Sequence, residues 1–242
     1  MKRLFCSFLF CLYLLNNSAT AQVKADEYYN EGLRKYASGG YEDAINLYSK
    51  SLKYNKKNYY VYYARALAYY YQGKYNEAMK DCDKAIKIKH DYTNAYITKG
   101  ICKIRLLDYK GSINDFNMAI EYNYSSHLAF YNLGLAYYNL KDYDNALTNF
   151  RNSLKLKPDF DQTLYSIGLI LYEEHLYSDS ILALSDCIRQ IRVMLLLFTA
   201  EDLQSILIMI INQHVMILIN LFLLVIQKEL LQLILIANKN FR

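Results

Sequence analysis

The chain has no tryptophan, one proline and eight glycines among its 242 residues. So little proline argues against a loop-rich all-β fold, whose turns draw on Pro and Gly. Charge is scarce as well, at 21% of residues with a net charge of +5. Residues 22 to 192 carry 23 Lys and Arg against 20 Asp and Glu, an excess too small to mark a nucleic-acid partner. The histidines His90, His127, His175 and His214 are scattered, and none has a second histidine or a cysteine three or four residues on. Residues 25 to 192 hold no glycine-rich phosphate loop, nucleophile elbow or paired-carboxylate constellation, so no enzyme, metal or cofactor is expected. Glu173-Glu174-His175 comes nearest to a catalytic cluster, but it sits at a helix end beside a turn, where charged residues are ordinary.

What the chain has in excess is tyrosine, 27 residues of it, within a composition that is 54% hydrophobic and therefore globular. One tyrosine is Tyr13, the rest lie between Tyr28 and Tyr177, and none follows. The N-terminus reads as a removable export signal. Met1-Lys2-Arg3 is basic, residues 4 to 15 are apolar, and Asn16 to Ala21 is a polar stretch ending in Ala-x-Ala. The apolar run is too short to span a bilayer, which takes about 20 residues, so cleavage after Ala21 is expected. Cys11 follows Phe10 rather than a small residue, which disfavours lipidation. Past Ala21 the chain keeps Cys82, Cys102 and Cys187, an odd and widely spaced set, which reads as small buried hydrophobes rather than a disulfide or metal framework.

The organising feature is a period of 34 residues. Gly32, Ala66, Gly100, Gly134 and Gly168 are spaced by it, and so are Tyr41, Tyr75, Tyr109, Tyr143 and Tyr177. The small set Ala44, Ala78, Ser112, Ala146 and Ser180 keeps the same spacing, as does the bulky set Tyr28, Tyr62, Tyr96, Phe130 and Leu164. Sequence self-similarity at a period of this length marks a repeat architecture. With Ala25 as position 1, the repeats run 25–58, 59–92, 93–126, 127–160 and 161–192. Apolar residues at positions 4, 11, 20, 24 and 28 follow helical steps, and a polar break falls near positions 15 and 16. Two helices per repeat are predicted, roughly positions 2 to 14 and 18 to 30. Small residues at positions 8 and 20 let their backbones approach, and the tyrosine at position 17 closes the turn.

In Ala129-Phe130-Tyr131-Asn132-Leu133-Gly134, Asp142-Tyr143-Asp144-Asn145-Ala146 and Leu156-Lys157-Pro158, the chain resembles the tetratricopeptide repeat (TPR) family. The resemblance covers residues 25 to 192 and implies an all-α fold, a right-handed α-solenoid of tandem helix-turn-helix repeats. Only the fourth repeat carries proline at position 32; the first three have Lys56, His90 and Tyr124, so a less rigid turn is expected there.

The resemblance also implies that the first helices line a concave groove, with positions 2, 5, 6, 9, 12 and 13 facing it. Position 5 holds Tyr29, Tyr63, Ile97, Tyr131 and Tyr165, and position 12 holds Tyr36, Tyr70, Ile104, Tyr138 and Tyr172. Two tyrosine rows, both broken by isoleucine in the third repeat, are the candidate partner-binding residues. Tyrosine offers a rigid apolar body and a hydroxyl at little entropic cost, which suits an extended peptide or a partner helix. The same tyrosines also pack within the hairpin in this family, and both roles stay open. The chaperone-tail clamp of some TPR proteins is not expected, because its positions carry Tyr29, Leu33, Ala64, Asn94 and Thr98. Arg65 and Arg105 are read either as partners of acidic groups or as solvated surface cations.

From Val193 the composition changes: 22 of the last 50 residues are Ile or Leu, and Tyr, Gly, Pro and Cys vanish. A membrane anchor over residues 206 to 226 is one reading, although Asn212, Gln213, His214 and Asn220 make it a poor span. A capping helix is another. The genetic code favours a third, an out-of-frame sixth repeat. Joining the third base of each codon to the first two of the next gives only Arg or Gly at slot 202 and only Asp at slot 210. It permits Tyr at slot 211 and gives only Thr or Ala at slot 214, the repeat pattern in unbroken register. Residues 193 to 242 are therefore expected to come from a one-nucleotide slip.

The functional expectation is an exported, periplasmic or cell-envelope, non-catalytic scaffold that binds a protein or peptide in its groove. The alternative is the sensor or docking region of a larger membrane-associated envelope protein with signalling or peptidase activity. Resequencing codons 190 to 198 tests the frame slip: a missing or extra nucleotide is expected there, and a confirmed frame with the same tail in related genes would refute it.

Overall fold

In this computed structural model the described residues are 2–180 and 182–184, with side chains from residue 20 onward. All their regular structure is helical. The chain divides into two units, residues 1–158 and residues 159–242. The expected out-of-frame tail at residues 193 to 242, its apolar stretch at 206 to 226, and Cys187 lie outside the described residues.

The first unit holds eight helices: α1 (Lys2–Ala37), α2 (Tyr41–Tyr54), α3 (Tyr59–Tyr71), α4 (Tyr75–Ile88), α5 (Thr93–Arg105), α6 (Tyr109–Tyr122), α7 (His127–Asn139) and α8 (Tyr143–Leu156). Helices α3, α5 and α7 each occupy positions 1 to 13 of their repeats, and α2, α4, α6 and α8 each occupy positions 17 to 30. The tyrosine at position 17 thus begins the second helix instead of closing the turn. Helix α1 runs without interruption through Asn16 to Ala21, a stretch free of Pro and Gly, so the expected cleavage site lies inside a helix. Among the described residues no helix is long and apolar enough to cross a membrane.

The turns explain the identical helix ends. Each first helix stops in a Schellman motif, with position 15 in the left-handed region at Gly39, Gly73, Leu107 and Lys141. The amide of position 16 then donates back to the carbonyl of position 11: Gly40 to Lys35 (2.8 Å), Lys74 to Tyr69 (2.9 Å), Asp108 to Lys103 (2.9 Å) and Asp142 to Tyr137 (3.0 Å). Side chains start several of the helices. Asn58, Asp108, Ser126 and Asp142 each accept from an amide in the first turn. Where the sequence leaves proline out of the inter-repeat turn, asparagine takes over in two of three cases. Asn55 Oδ1 accepts from the Lys57 amide at 3.0 Å and Asn123 Oδ1 from the Ser125 amide at 3.1 Å, so these turns are pinned by the side chain.

Packing within each hairpin rests on one small-to-large pair. A Cβ placed on Gly32 would fall 2.6 Å from Tyr48 Cε1, on Gly100 2.6 Å from Phe116 Cε1, and on Gly134 2.5 Å from Phe150 Cε1. The glycine at position 8 is therefore the seat of the ring at position 24. The second hairpin uses a more even pair, Ala66 with Cys82, both fully buried. Between hairpins the core falls into three clusters, one at each successive junction, such as Tyr96, Ile97 and Phe116 of the third repeat with Ala129, Leu133 and Ala136 of the fourth. Each repeat buries its apolar face on its neighbours alone, as in quasi-one-dimensional repeat proteins. Helices α1, α3, α5 and α7 also touch each other in sequence, which sets them side by side on one face.

In the second unit, α9 (Asp161–Glu173) ends in the same motif, with His175 at φ 63° and the Leu176 amide donating to Leu171 O at 2.8 Å. The helical turn at residues 177–180 follows, and Ser180 Oγ donates to Gly168 O at 2.8 Å. His175 Nδ1 lies 2.9 Å from the Tyr177 hydroxyl, so the Glu173-Glu174-His175 stretch forms part of a packed turn.

Two substitutions should raise stability. Leu107 is a non-glycine residue at φ 64° and is 71% exposed, so Leu107→Gly should gain about 1 kcal/mol by removing left-handed strain. Tyr48 is fully buried and its hydroxyl has no hydrogen-bond partner, so Tyr48→Phe, the residue at the same position in the third and fourth repeats, should gain about 1 kcal/mol. Urea unfolding followed by circular dichroism checks both; a fall in midpoint for either would contradict its assignment.

Candidate interaction groove

The two tyrosine rows are more deeply engaged than their spacing alone implies. At position 5, Tyr29 tilts onto Tyr48 (5.9 Å between ring centres) and Tyr131 onto Phe150 (5.9 Å), while Tyr63 stands edge-on to Tyr92 (5.2 Å). At position 12, Tyr36 meets Tyr41 (5.5 Å), Tyr70 meets Tyr75 (5.6 Å) and Tyr138 meets Tyr143 (5.8 Å). Position 5 therefore rests on the ring at position 24 of its own hairpin or, for Tyr63, on the turn that leads into the next repeat, and position 12 rests on the tyrosine at position 17. Burial pushes the phenols of Tyr29, Tyr36 and Tyr63 above their usual range. In the second unit Tyr165 is half-buried on α9, and Tyr172, 38% exposed, stands edge-on to Tyr177 at 5.6 Å.

Two of these buttressed rings, Tyr63 and Tyr70, help to wall a depression of about 320 Å³ on the face formed by α3, α5 and α7. Tyr63, Leu67, Tyr70 and Tyr71 come from α3, Asn94, Ile97, Thr98 and Ile101 from α5, and Leu128 from α7. Every one of them occupies position 2, 5, 6, 9, 12 or 13 of its repeat. The floor is the third repeat, where isoleucine interrupts the row: Ile97 stands where the repeats on either side place Tyr63 and Tyr131, and the missing ring leaves the space. Of the named tyrosine candidates only Tyr63 and Tyr70 line it. Tyr71, 56% exposed and stacked on Tyr41 at 5.2 Å, was not among them, although its position 13 carried the signal.

The cations beside this face are nearly all committed. Arg65 makes a two-pronged bond to Asp81 (Nε to Oδ2 2.6 Å, Nη2 to Oδ1 2.9 Å) and a third to Ser49 Oγ (2.8 Å). Its charge is thus consumed inside the hairpin, neither solvated nor offered to a ligand. One repeat on, at the same position, Lys99 reaches Asp83 at 2.7 Å and Asp115 at 3.6 Å. Lys103 Nζ lies 2.7 Å from Asp115 Oδ2, in ion-pair contact though outside hydrogen-bond angles. Arg105 differs. Its Nε donates to the Tyr70 hydroxyl at 3.2 Å and its guanidinium lies 6.0 Å from that ring's centre, and it meets no carboxylate among the described residues.

Among the described residues no group of three His, Cys, Asp or Glu side chains gathers to hold a metal ion. Cys82 and Cys102 are free thiols packed in the cluster between the second and third repeats. Burial holds the Cys82 thiol well above the usual range and pushes Cys102 to about 12.

Residues 59–92 and 127–160 match the family model described as tetratricopeptide repeat. No curated protein matches the chain. Among solved structures, MamA from Desulfovibrio magneticus RS-1 is 19% identical with a TM-score of 0.64, covering 70% of this chain and 96% of its own. PilF of Pseudomonas aeruginosa is 19% identical with a TM-score of 0.64, over 70% of this chain and 78% of that one. YrrB, described as a TPR protein with an unusual peptide-binding site, is 20% identical with a TM-score of 0.54, over 67% and 84%. At these identities the likeness is one of fold.

A thiol held near 12 is almost wholly protonated at pH 8. Cys102 in the native chain should therefore alkylate roughly a thousandfold more slowly than an exposed cysteine. Peptide-resolved mass spectrometry after iodoacetamide treatment reads this directly. Labelling of native Cys102 at the rate seen in urea would contradict the burial.

Proposed function

Because the chain is a tetratricopeptide repeat protein, we propose that it acts as a non-catalytic interaction scaffold and that α3, α5 and α7 hold a peptide or partner helix. The observation that carries this reading is the depression of about 320 Å³ whose lining comes entirely from concave-face positions. A cavity of that size, with aliphatic floor, aromatic walls and a few polar groups, suits one or two apolar side chains of a ligand. The tyrosines do two jobs there. Their inner faces brace the hairpins, and the remaining surface of Tyr63, Tyr70 and Tyr71 is held rigid in advance, so little side-chain entropy is lost on binding.

Export belongs to the same proposal and is supported by the basic start, the apolar run and the Ala-x-Ala stretch of residues 1 to 21. Mass spectrometry of the chain recovered from its producing cell should find Gln22 as the first residue; an intact Met1 in the extracytoplasmic fraction would contradict cleavage.

Site-specific photocrosslinking tests the groove. A benzoylphenylalanine at Leu67 or Ile101 should crosslink a partner in vivo, whereas the same probe at Lys80 or Lys110 on the second helices should not. Equal crosslinking from both faces, or crosslinking from the second helices alone, would remove the groove as the binding surface.

A further inference from the structure

The depression is an apolar seat with one uncommitted cation at its edge. Tyr70 lines the cavity and is also the group that holds Arg105. Because the Tyr70 oxygen accepts from Arg105 Nε, its own O–H is left to donate, and the Nη groups of Arg105 are donors as well. Arg65, Lys99 and Lys103, the other cations of α3 and α5, are each neutralised by Asp81, Asp83 or Asp115. The concave positions of α3, α5 and α7 carry no acidic residue. An anion arriving at this face therefore meets a single site with two convergent donors and no carboxylate to repel it.

The distance between the two seats sets the ligand's spacing. Arg105 lies four residues beyond Ile101 and eight beyond Ile97 on α5, which is about 6–12 Å along the axis at ~1.5 Å per residue. An extended peptide advances roughly 3.3 Å per residue, so its acidic group would sit about two to four residues from its apolar one. Asn94, exposed at the opposite end of the cavity, can bond the backbone of the same peptide.

We propose that this face selects an extended peptide that places a bulky apolar side chain over Ile97 and Ile101 and an aspartate or glutamate against Arg105 and Tyr70. The proposal rests on the groove reading above and adds the chemistry of the ligand. Charge complementarity decides the occupant: an apolar-plus-acidic peptide satisfies both seats, and a basic one leaves Arg105 opposed by a like charge.

The test pans a phage-displayed random dodecapeptide library on the purified full chain and measures the enriched peptides by fluorescence anisotropy. Enriched sequences should pair Leu, Ile, Met or Phe with Asp or Glu at the stated spacing. Arg105→Gln should weaken them about tenfold, the size of one lost charge-assisted hydrogen bond, and should abolish their preference over Asn or Gln analogues. Ile97→Tyr, which places at position 5 the residue found in the flanking repeats, should remove binding altogether. Leu128→Asp, at a rim residue that is 43% exposed, guards against misfolding and should also remove it. If Ile97→Tyr and Leu128→Asp abolish binding while Arg105→Gln leaves it unchanged, the groove stands and the acidic specificity falls. If none of the three moves the affinity, the groove reading falls with it. A library that enriches basic peptides or nothing overturns the proposal, as does a dimer in sedimentation that Ile97→Tyr dissociates, which would assign the cavity to a second copy of the chain.

Discussion

Everything else in this molecule depends on the contact between position 8 and position 24 inside each hairpin. At Gly32, Gly100 and Gly134 the backbone of the first helix lies so close to a ring of the second that a methyl group has no room, with separations of 2.5–2.6 Å to the nearest ring carbon. Close packing of protein interiors makes such a site intolerant of one added carbon. The second hairpin uses a more even pair at the same two positions, Ala66 against Cys82, both fully buried. The fit between these two positions brings the helices of each hairpin into close contact, and hairpins with the same helix boundaries then stack in register.

That register turns sequence positions into a surface. Once α1, α3, α5 and α7 lie side by side, the side chains at positions 2, 5, 9 and 12 fall into rows, and a change at one position in one repeat becomes a local change in shape. Ile97 is such a change. With tyrosine on both sides of it in the row, the loss of one ring opens the cavity that the other rings frame. Arg105, at position 13, stands apart from Arg65 and Lys99, which share position 7 and are both tied to carboxylates on the second helices.

Much of this is legible in the sequence. A period of 34 with four sets of residues in register, each recurring five times, marks a helical repeat fold, and the break at positions 15 and 16 locates the turns. The family resemblance supplied the concave positions, and all nine residues lining the cavity fall on them. Partnership was the part that could not be read. Spacing places Tyr29 and Tyr131 on the inner face but does not tell that their rings lean on Tyr48 and Phe150, because that depends on the depth to which glycine at position 8 admits the second helix. Nor does a lone Arg65 reveal that Asp81, 16 residues on, lies opposite it across the hairpin. The left-handed turn was hidden for a different reason: Leu107 and Lys141 occupy a conformation that glycine advertises at Gly39 and Gly73 and that their own side chains disguise.

The size-complementarity of positions 8 and 24 is open to a direct measurement. Urea unfolding of Gly134→Ala, Phe150→Cys and the double variant compares the fourth hairpin with one rebuilt to the Ala66 and Cys82 pattern of the second. The first change alone should destabilise by about 1–3 kcal/mol through overpacking, and the second by about 3 kcal/mol through the cavity it leaves. The double variant should recover at least about 1 kcal/mol of their sum, the mark of two side chains sharing one space. Strictly additive losses would show that the glycine and the ring do not set the helix separation, and would contradict the packing on which the groove is built.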